Sequence, residues 1–388
     1  MNLCNKMTEM RQCRERLMID LAGANEWLDT PALLVDVTAL EHNIRFMADM
    51  AQRHDVRLRP HGKTHKSIEV ALRQMAAGAI GICCATLLEA EWFHDGGITG
   101  LLMTSPIAGP RKIQRAIQIA KRSDTIFAID HAEVALQLND AAARQGIVVP
   151  VLCELELGGQ RTGQPDVRQA VQLARQIDGL SSLKLRGVQA YAPVVQHTRS
   201  KAARLLAAGA AADKLASFLS QLRASGHCTD IVSGSGTGAF EYDLPRGLYT
   251  EYQIGSYVFM DTEYRMIELG DTATQFQSSL FLAATVIGLQ HEQVALIDAG
   301  QKTLFRGGPV PRCVSPGMED TLCEFAGDEQ IRIRGPAVST LRIGDLVLLE
   351  TTHCDPTVAL HAELVAMLRG GEHQYWPIVH PEYHSQRT

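Results

Sequence analysis

The chain has 388 residues, which is long for one ordinary domain, so its length predicts two domains. A hydrophobic fraction of 46% and a charged fraction of 21% are typical of a globular protein with a substantial core. The net charge of -6 and the absence of a long basic run argue against nucleic acid as a partner. No apolar run approaches the ~18 residues of a membrane-spanning helix, so we expect no membrane segment.

The N-terminal stretch and the cysteines predict a cytoplasmic protein. Residues 1–20 carry scattered charges and no apolar core, which is not the pattern of a secretory signal. The nine cysteines are scattered, without a CxxC pair or zinc-finger spacing. Such an odd, unpatterned set is typical of reduced thiols.

From residue 32 onwards, short apolar runs alternate with amphipathic helical patterns. Thr38 with Glu41, and Thr86 with Glu89, fit capping boxes that would begin two of the helices. Pro110 is a favoured first-turn residue and predicts the start of another. Besides the run at 32–35, the predicted strands are 56–58, 80–83, 101–103, 125–129, 148–155, 183–189, 230–233 and 252–259.

About eight strands alternating with helices predict a parallel α/β architecture, and eight is the number that a closed barrel needs. An open doubly wound sheet has the same periodicity. The lack of a GxGxxG turn after the first strand favours the barrel.

The pattern of apolar runs in the sequence changes after about residue 266. Short β-rich runs at 279–286, 294–298, 331–333 and 346–349 are separated by Gly, Pro and charged turns. This pattern predicts a mainly antiparallel domain. We therefore expect an N-terminal extension at 1–28, a barrel at 29–265 and a C-terminal β-domain at 266–388.

The segment Arg59-Pro60-His61-Gly62-Lys63-Thr64-His65-Lys66 joins a predicted strand to a helical pattern. A lysine at the mouth of a barrel strand is a candidate nucleophile, although most lysines are solvated surface charges. The octapeptide resembles the cofactor-lysine segment of the family of D-threonine aldolases, 3-hydroxy-D-aspartate aldolases and D-serine dehydratases. These are pyridoxal-phosphate (PLP) enzymes of the alanine-racemase fold, a (β/α)8 TIM-type barrel followed by a mainly antiparallel β-domain.

The resemblance implies that Lys63 binds the cofactor and acts in catalysis. His61 and His65 flank it, and imidazole titrates near working pH, so either could serve as an acid or base. Equally, they could only position the lysine. We take His61 as the second candidate catalytic residue.

The run Ser233-Gly234-Ser235-Gly236-Thr237-Gly238 follows a late strand and could cradle a phosphate through backbone amides and hydroxyls, or be an ordinary loop. Barrel phosphates commonly lie at late strand ends. The resemblance implies phosphate contacts from Ser235, Gly236 and Thr237. It implies further contacts from Gly255, Ser256 and Tyr257, although Tyr257 could equally be a core residue.

The run 154–163 resembles the strand and loop that place an arginine, here Arg161, at the pyridine ring of the cofactor. An arginine facing the ring nitrogen keeps it unprotonated and weakens the electron sink. Without the resemblance, Arg161 would be a surface cation. Gln189 and Tyr191 match the segment at the next strand end that reaches the cofactor.

The motif His353-Cys354-Asp355-Pro356-Thr357 predicts a divalent-metal site. In an extended segment, His353 and Asp355 would point the same way and Cys354 the opposite way. A bare HxD pair is usually a polar turn, but this run resembles the metal motif of the family. Its aldolases have Asp at the third position, whereas the dehydratases that resemble vertebrate D-serine dehydratase have Cys. The continuation at 359–363 departs from the family pattern, which leaves the substrate open.

The resemblance implies a PLP- and divalent-metal-dependent lyase that cleaves D-3-hydroxy amino acids to glycine and an aldehyde. A His–carboxylate pair suits Mn²⁺, Mg²⁺ or Zn²⁺. The alternatives are a dehydratase that forms ammonia and a 2-oxo acid, a non-catalytic PLP-binding protein and a racemase. The family further implies a head-to-tail homodimer in which the β-domain of one subunit closes the barrel mouth of the other.

Overall fold

The computed structural model of the chain describes residue 19 and residues 21–268 and 275–380. These residues form two sheets, one of eight strands and one of nine. The prediction about a signal sequence concerns residues 1–20, almost all of which lie outside the described part. Among the described residues, no helix combines the length and apolar character needed to cross a membrane. The described cysteines are free thiols, most of them buried.

Eight parallel strands form the first sheet, and hydrogen bonds between its two edge strands close it into a barrel. Ile80 N donates to Leu58 O at 2.8 Å, and Cys83 N donates to Pro60 O at 2.8 Å. The predicted parallel barrel is therefore confirmed. Its strands are Arg57–Leu58, Cys83–Cys84, Leu102–Met103, Ile126–Ile129, Val149–Glu154, Leu183–Ala190, Ile231–Gly234 and Glu251–Tyr252.

Helices surround the barrel because each strand is followed by an amphipathic segment whose apolar stripe packs on the sheet. Buried Ile113, Ala116 and Ile117 form that stripe on one of them. The α-helices are Val37–Arg53, Ile68–Ala76, Leu87–Asp95, Pro110–Ala120, Ala132–Arg144, Val167–Asp178, Pro193–Gln196, Lys201–Ala224, Phe240–Asp243, Thr262–Arg265 and Cys354–Val358. The 3-10 helices are Ala24–Glu26, Gly62–Thr64, Leu244–Arg246, Ser256–Val258 and Pro336–Thr340.

Two local predictions about these elements are wrong. The first long helix is capped by Asp36, whose Oδ1 accepts from Ala39 N at 3.0 Å, and not by Thr38. The last barrel strand ends at Tyr252 instead of continuing to residue 259, and a 3-10 helix follows at Ser256–Val258. The predicted cap at Thr86 is confirmed, since its hydroxyl accepts from Glu89 N at 3.2 Å.

The second sheet is mainly antiparallel, as predicted, but it also contains the first strand among the described residues. Ala32–Asp36 pairs antiparallel with Leu280–His291 and parallel with Glu363–Met367. Ala32–Asp36 thus belongs to the second sheet, although it precedes every barrel strand in the described residues. The other strands of this sheet are Val294–Ile297, Arg312–Cys313, Leu322–Phe325, Ile331–Arg334, Leu346–Glu350 and His373–Pro377.

The second sheet joins the barrel mouth through the end of the strand Leu346–Glu350. Thr262 N donates to Thr351 O at 3.0 Å, and Glu263 N donates to Thr352 O at 3.1 Å. The buried carboxylate of Glu350 reinforces this junction through Arg265 Nε at 2.6 Å and Arg312 Nη1 at 3.0 Å. These contacts bring the segment after Glu350 to the rim of the barrel of the same chain.

A buried ion pair joins the first and last barrel strands. Arg59 donates from Nε to Glu251 Oε1 and from Nη2 to Oε2, each at 2.9 Å. Both side chains are almost fully buried, at 6% and 0% exposure. A two-point pair of this kind fixes the register of these two neighbouring strands.

We expect Glu251→Ala to lower the free energy of unfolding by about 3–5 kcal/mol, because it leaves the Arg59 guanidinium buried without its partner. Arg332→Met is the control: the Arg332–Glu324 pair is 3.1 Å long but exposed. Its loss should cost less than about 1 kcal/mol. Urea unfolding of both variants measures the difference, and equal losses would contradict a special role for the buried pair.

Candidate active site

The predicted site residues collect at the carboxyl ends of the barrel strands. Lys63 follows Arg57–Leu58, Arg161 follows Val149–Glu154, and Tyr191 follows Leu183–Ala190. In a parallel barrel all strand carboxyl ends meet at one mouth, so residues distant in sequence converge there.

Lys63 lies opposite Asp355, which belongs to the segment that follows the strand Leu346–Glu350. Its Nζ is 3.5 Å from Asp355 Oδ2, and its side chain is 36% exposed, so a small molecule can reach the amine. Burial would lower the pKa of Lys63, but the charge of Asp355 raises it above its usual value. Burial would also raise the pKa of Asp355, yet the charges of Lys63 and His353 lower it to about 2. The two groups therefore form an ammonium–carboxylate pair at neutral pH.

His61 is held by hydrogen bonds at both ring nitrogens. Nδ1 accepts from Lys63 N at 3.4 Å, and Nε2 lies 3.1 Å from Thr104 Oγ1. Because the Thr104 hydroxyl donates to Cys84 O at 3.1 Å, we assign the proton to Nε2 of His61. Burial, followed by the charge of Lys63, lowers the pKa of His61 well below its usual value. The geometry favours a neutral ring that positions the lysine turn, and the predicted acid–base role stays a prediction.

His65 belongs to the core instead of the mouth. Its Nδ1 accepts from Ser67 N at 3.1 Å, and its ring meets the Phe93 ring edge-on at 5.8 Å. Burial lowers the pKa of His65 to about 3. The side chain is therefore neutral and shapes the turn that carries Lys63.

A candidate metal centre lies beside Lys63. Asp261, His353 and Cys354 bring possible ligand atoms within 4.8 Å of one another. The Asp261 carboxylate is already engaged: Oδ2 accepts from His353 Nδ1 at 3.0 Å and from Cys354 N at 2.9 Å. Because His353 directs Nδ1 to Asp261, its Nε2 remains for an ion, an arrangement common among metal-binding histidines. Burial would lower the pKa of His353, but the bond to Asp261 raises it to about 8.

The HxD motif is not extended as predicted. Only His353 is extended, and a helix begins at Cys354. Successive side chains of a helix turn by ~100°, not by 180°. Cys354 therefore does not point away from Asp355: its Sγ lies 3.5 Å from Asp355 Oδ1. Asp355 is shared between Lys63 and the Ser256 hydroxyl, which donates to its Oδ1 at 3.4 Å.

Arg161 and Tyr191 lie together at the mouth, as the motifs predict. The Arg161 guanidinium carbon is 5.1 Å from the centre of the Tyr191 ring, within the range of a cation–π contact. Burial raises the pKa of Tyr191, so the phenol is protonated at neutral pH. Both side chains influence the pKa of Lys63, the phenol of Tyr191 raising it and the charge of Arg161 lowering it, so the pair lies close to the lysine.

A network of polar side chains connects the barrel strands near the mouth. Gln189 Nε2 donates to Thr104 O at 2.7 Å, and its Oε1 accepts from Gln253 Nε2 at 3.1 Å. Glu154 Oε1 accepts from Thr162 Oγ1 at 2.8 Å, while its buried Oε2 has no hydrogen-bond partner among the described residues. Burial raises the pKa of Glu154 to about 7. Gln189 is therefore fixed by protein contacts, and its predicted contact with a cofactor stays a prediction.

The glycine run forms a tight cradle whose backbone packs against Gln196. A Cβ on Gly236 would lie 2.5 Å from Gln196 Oε1, so only glycine fits without displacing that side chain. Ser235 adopts a left-handed φ of 64°, and its buried hydroxyl has no hydrogen-bond partner in the described structure. A Cβ on Gly255 would lie 2.6 Å from Thr64 Oγ1, so this second turn packs against the lysine turn. An unused buried hydroxyl in such a cradle fits the phosphate of PLP.

Thr237 and Tyr257 connect the two turns of the cradle. Tyr257 N donates to Thr237 Oγ1 at 3.0 Å. The Tyr257 ring is buried against Phe276, and its hydroxyl accepts from Gln74 Nε2 at 3.1 Å. The side chain of Tyr257 thus behaves as a core residue, which was the alternative considered for it.

Three residues at the site carry no motif and were missed by sequence reasoning. Glu263 bridges two histidines: Oε1 lies 3.2 Å from His197 Nδ1, and Oε2 lies 3.3 Å from His353 Nδ1. Asp261 and Glu263 flank the start of the helix Thr262–Arg265, where acidic residues are ordinary caps. No local signal in the sequence links them to His353, about ninety positions away.

Two family profiles match most of the chain. The profile described as "Alanine racemase, N-terminal domain" covers residues 35–263, and "Putative serine dehydratase domain" covers residues 279–367. The boundary between the two profiles lies near residue 266, where the pattern of apolar runs in the sequence changes.

Relatives match over nearly the whole chain. D-threonine aldolase of Arthrobacter sp is 37% identical over 353 residues, which is 90% of this chain and 92% of the relative. 3-Hydroxy-D-aspartate aldolase of Paracoccus denitrificans (strain Pd 1222) is 31% identical over 357 residues, with coverages of 90% and 92%. The crystal structure of D-threonine aldolase from Filomicrobium marinum superimposes with a TM-score of 0.87 at 34% identity, covering 91% and 95% of the two chains. The resemblance drawn from the motifs is confirmed.

We expect Glu154→Gln to make the apoprotein relatively more stable as the pH rises from about 4.5 towards 7. Burial raises the pKa of Glu154 to about 7, so the unfolded chain releases this proton at lower pH than the folded chain. Wild type loses stability through this window, whereas the variant cannot ionise. Urea unfolding at pH 5 and pH 8 measures it, and a constant difference between wild type and variant would contradict the raised pKa.

Proposed function

Because the chain belongs to the alanine-racemase-fold family that contains the D-threonine aldolases, we propose that it is a PLP- and divalent-metal-dependent lyase cleaving D-3-hydroxy amino acids to glycine and an aldehyde. The observation that carries this proposal is the 3.5 Å approach of Lys63 Nζ to Asp355 Oδ2. It brings the predicted cofactor lysine and the predicted metal carboxylate into one site. Such a site suits a substrate bound through its amino group and its hydroxyl together.

The side chains and turns at the mouth would together hold PLP. Lys63 would hold it covalently, Ser235, Gly236, Thr237, Gly255 and Ser256 would surround its phosphate, and Arg161 would face its ring. Gln189, Tyr191 and the backbone of Tyr257 would complete the pocket. When bound, PLP supplies the electron sink that stabilises negative charge at Cα. The buried, unpartnered Ser235 hydroxyl is the structural feature that best supports this placement.

His353 and Asp355 would hold the divalent ion, with Asp261 orienting the imidazole. A divalent ion there would supply Lewis-acid polarisation of the substrate hydroxyl. Imidazole and carboxylate donors suit Mn²⁺, Mg²⁺ or Zn²⁺. Burial raises the pKa of Cys354 well above its usual value, so its thiol is a poor competing ligand unless an ion displaces the proton.

His197 would be the group that accepts the hydroxyl proton of the substrate. Its side chain is 43% exposed at the mouth, and Nδ1 is held by Glu263 at 3.2 Å. Its ring stands perpendicular to that of His353, with the ring centres 5.6 Å apart. With Nδ1 donating to Glu263, Nε2 is the accepting atom. Lys63 Nζ can return the proton that completes glycine.

A dehydratase reaction is the second candidate. The matched C-terminal profile is described as a putative serine dehydratase domain. In that reaction Lys63 would remove the Cα proton and hydroxide would leave from Cβ. Asp355, in place of the cysteine found in the resembling dehydratases, favours cleavage of the Cα–Cβ bond.

The wider proposal concerns substrate, assembly and location. D-Threonine and 3-hydroxy-D-aspartate are the candidate substrates, after the relatives' names. We place the enzyme in the cytoplasm, supported by the free thiols of the described cysteines. The proposed homodimer rests on the family resemblance. We propose small molecules as the ligands, and neither nucleic acid nor a membrane.

Lys63→Ala should abolish covalent attachment of PLP, because Lys63 is the amine that lies at the barrel mouth, 3.5 Å from Asp355. Wild type mixed with PLP should show a yellow absorbance. Borohydride should then attach the cofactor permanently to a peptide that contains residue 63. The matched control is Lys66→Ala, since Lys66 is instead paired with Glu89 at 2.8 Å. Borohydride-fixed label on another lysine in the Lys63 variant would contradict the assignment.

His353→Ala and Asp355→Ala should each lower metal-dependent turnover by about 10³-fold while PLP stays bound, because each removes one ligand. Isothermal titration with Mn²⁺ should show weaker binding in both variants. Cys354→Ser is the control and should retain most of the metal affinity. Unchanged Mn²⁺ binding in the His353 and Asp355 variants would dismiss the site.

A further inference from the structure

The loop that carries Arg161 is held by a lysine from a helix distant in sequence. Lys214, on the helix Lys201–Ala224, donates from Nζ to Glu156 O at 2.6 Å and to Pro165 O at 2.8 Å. The same ammonium lies 3.4 Å from Glu156 Oε2. One cation thus binds both ends of the loop 156–165, and Arg161 lies midway between them.

The interior of the loop is organised around the Glu156 carboxylate. Its Oε1 accepts from Gly158 N at 2.7 Å and from Gln160 N at 3.1 Å. The loop ends also pair with each other, since Glu156 N donates to Gln164 O at 3.1 Å. Removing the ammonium would leave this carboxylate and two carbonyls without their common donor.

We propose that Lys214 is a positioning residue that fixes the Arg161 guanidinium against Tyr191, in the place where it meets the cofactor ring. Lys214 itself belongs to the outer helix layer and acts only through the loop. The inference rests on the proposed function for the role of Arg161. The hydrogen bonds by which Lys214 joins the two ends of the loop, here called the Lys214 lock, are a property of the chain itself. Charge-assisted hydrogen bonds of this kind are the strong ones in proteins, so the lock is expected to limit loop opening.

The first test is hydrogen exchange of the full-length chain, followed by mass spectrometry. Lys214→Met keeps the apolar stem and removes the donor, and should speed exchange of the peptide covering 156–165 about tenfold. Lys201→Met, an exposed position on the same helix, should leave that peptide unchanged. Unchanged exchange in Lys214→Met would overturn the proposal, as would an increase spread over the barrel strands, which would mark general destabilisation.

The second test asks whether the lock acts through Arg161. Lys214→Met should weaken PLP binding about fivefold, because Arg161 is no longer held in place. In an Arg161→Met background the same substitution should have no further effect, as a double-mutant cycle requires of coupled residues. Additive effects, or faster exchange with unchanged PLP affinity, would overturn the positioning role. Neither readout depends on aldol cleavage, so failure of the proposed function would be seen separately in product assays.

Discussion

The site depends on two hydrogen bonds that the carboxylate of Asp261 accepts. This carboxylate lies at the rim of the barrel and accepts from His353 Nδ1 and from Cys354 N, both of which belong to the segment that leaves the second sheet. These two bonds set the histidine ring and the start of the short helix together. Asp355 is thereby turned towards Lys63. Without these two hydrogen bonds, Lys63 of the barrel and Asp355 of the segment after the second sheet would not be held at a fixed distance from each other.

Elements whose signals are local could be predicted from the sequence. The lysine turn, the glycine cradle and the alternation of strands and helices each depend on a few consecutive residues, and the structure places them as expected. The HxD motif was recognised, but its shape was not, because periodicity cannot distinguish an extended pair from the first turn of a helix. Asp36 caps the helix two residues before Thr38, because its carboxylate accepts from Ala39 N and the helix already begins at Val37.

Long-range contacts were beyond sequence reasoning. The strand Ala32–Asp36 is mostly apolar, and nothing local shows that it pairs with strands about 250 and about 330 residues later. Asp261, Glu263 and His197 look like ordinary caps and surface residues until the barrel closes. The Lys214 lock has the same character, since its partners are three carbonyl and carboxylate oxygens on another element. A neutral His61 likewise follows from burial, which the sequence does not reveal.

We propose that Lys63 and the His353–Asp355 pair act on a single substrate to break its Cα–Cβ bond. Product analysis with D-threonine and PLP, with Mn²⁺ and again after chelation with EDTA, tests this proposal most directly. We expect glycine and acetaldehyde in equal amounts, lost on chelation and restored by added Mn²⁺. Ammonia and 2-oxobutanoate would contradict it and assign the same residues to dehydration.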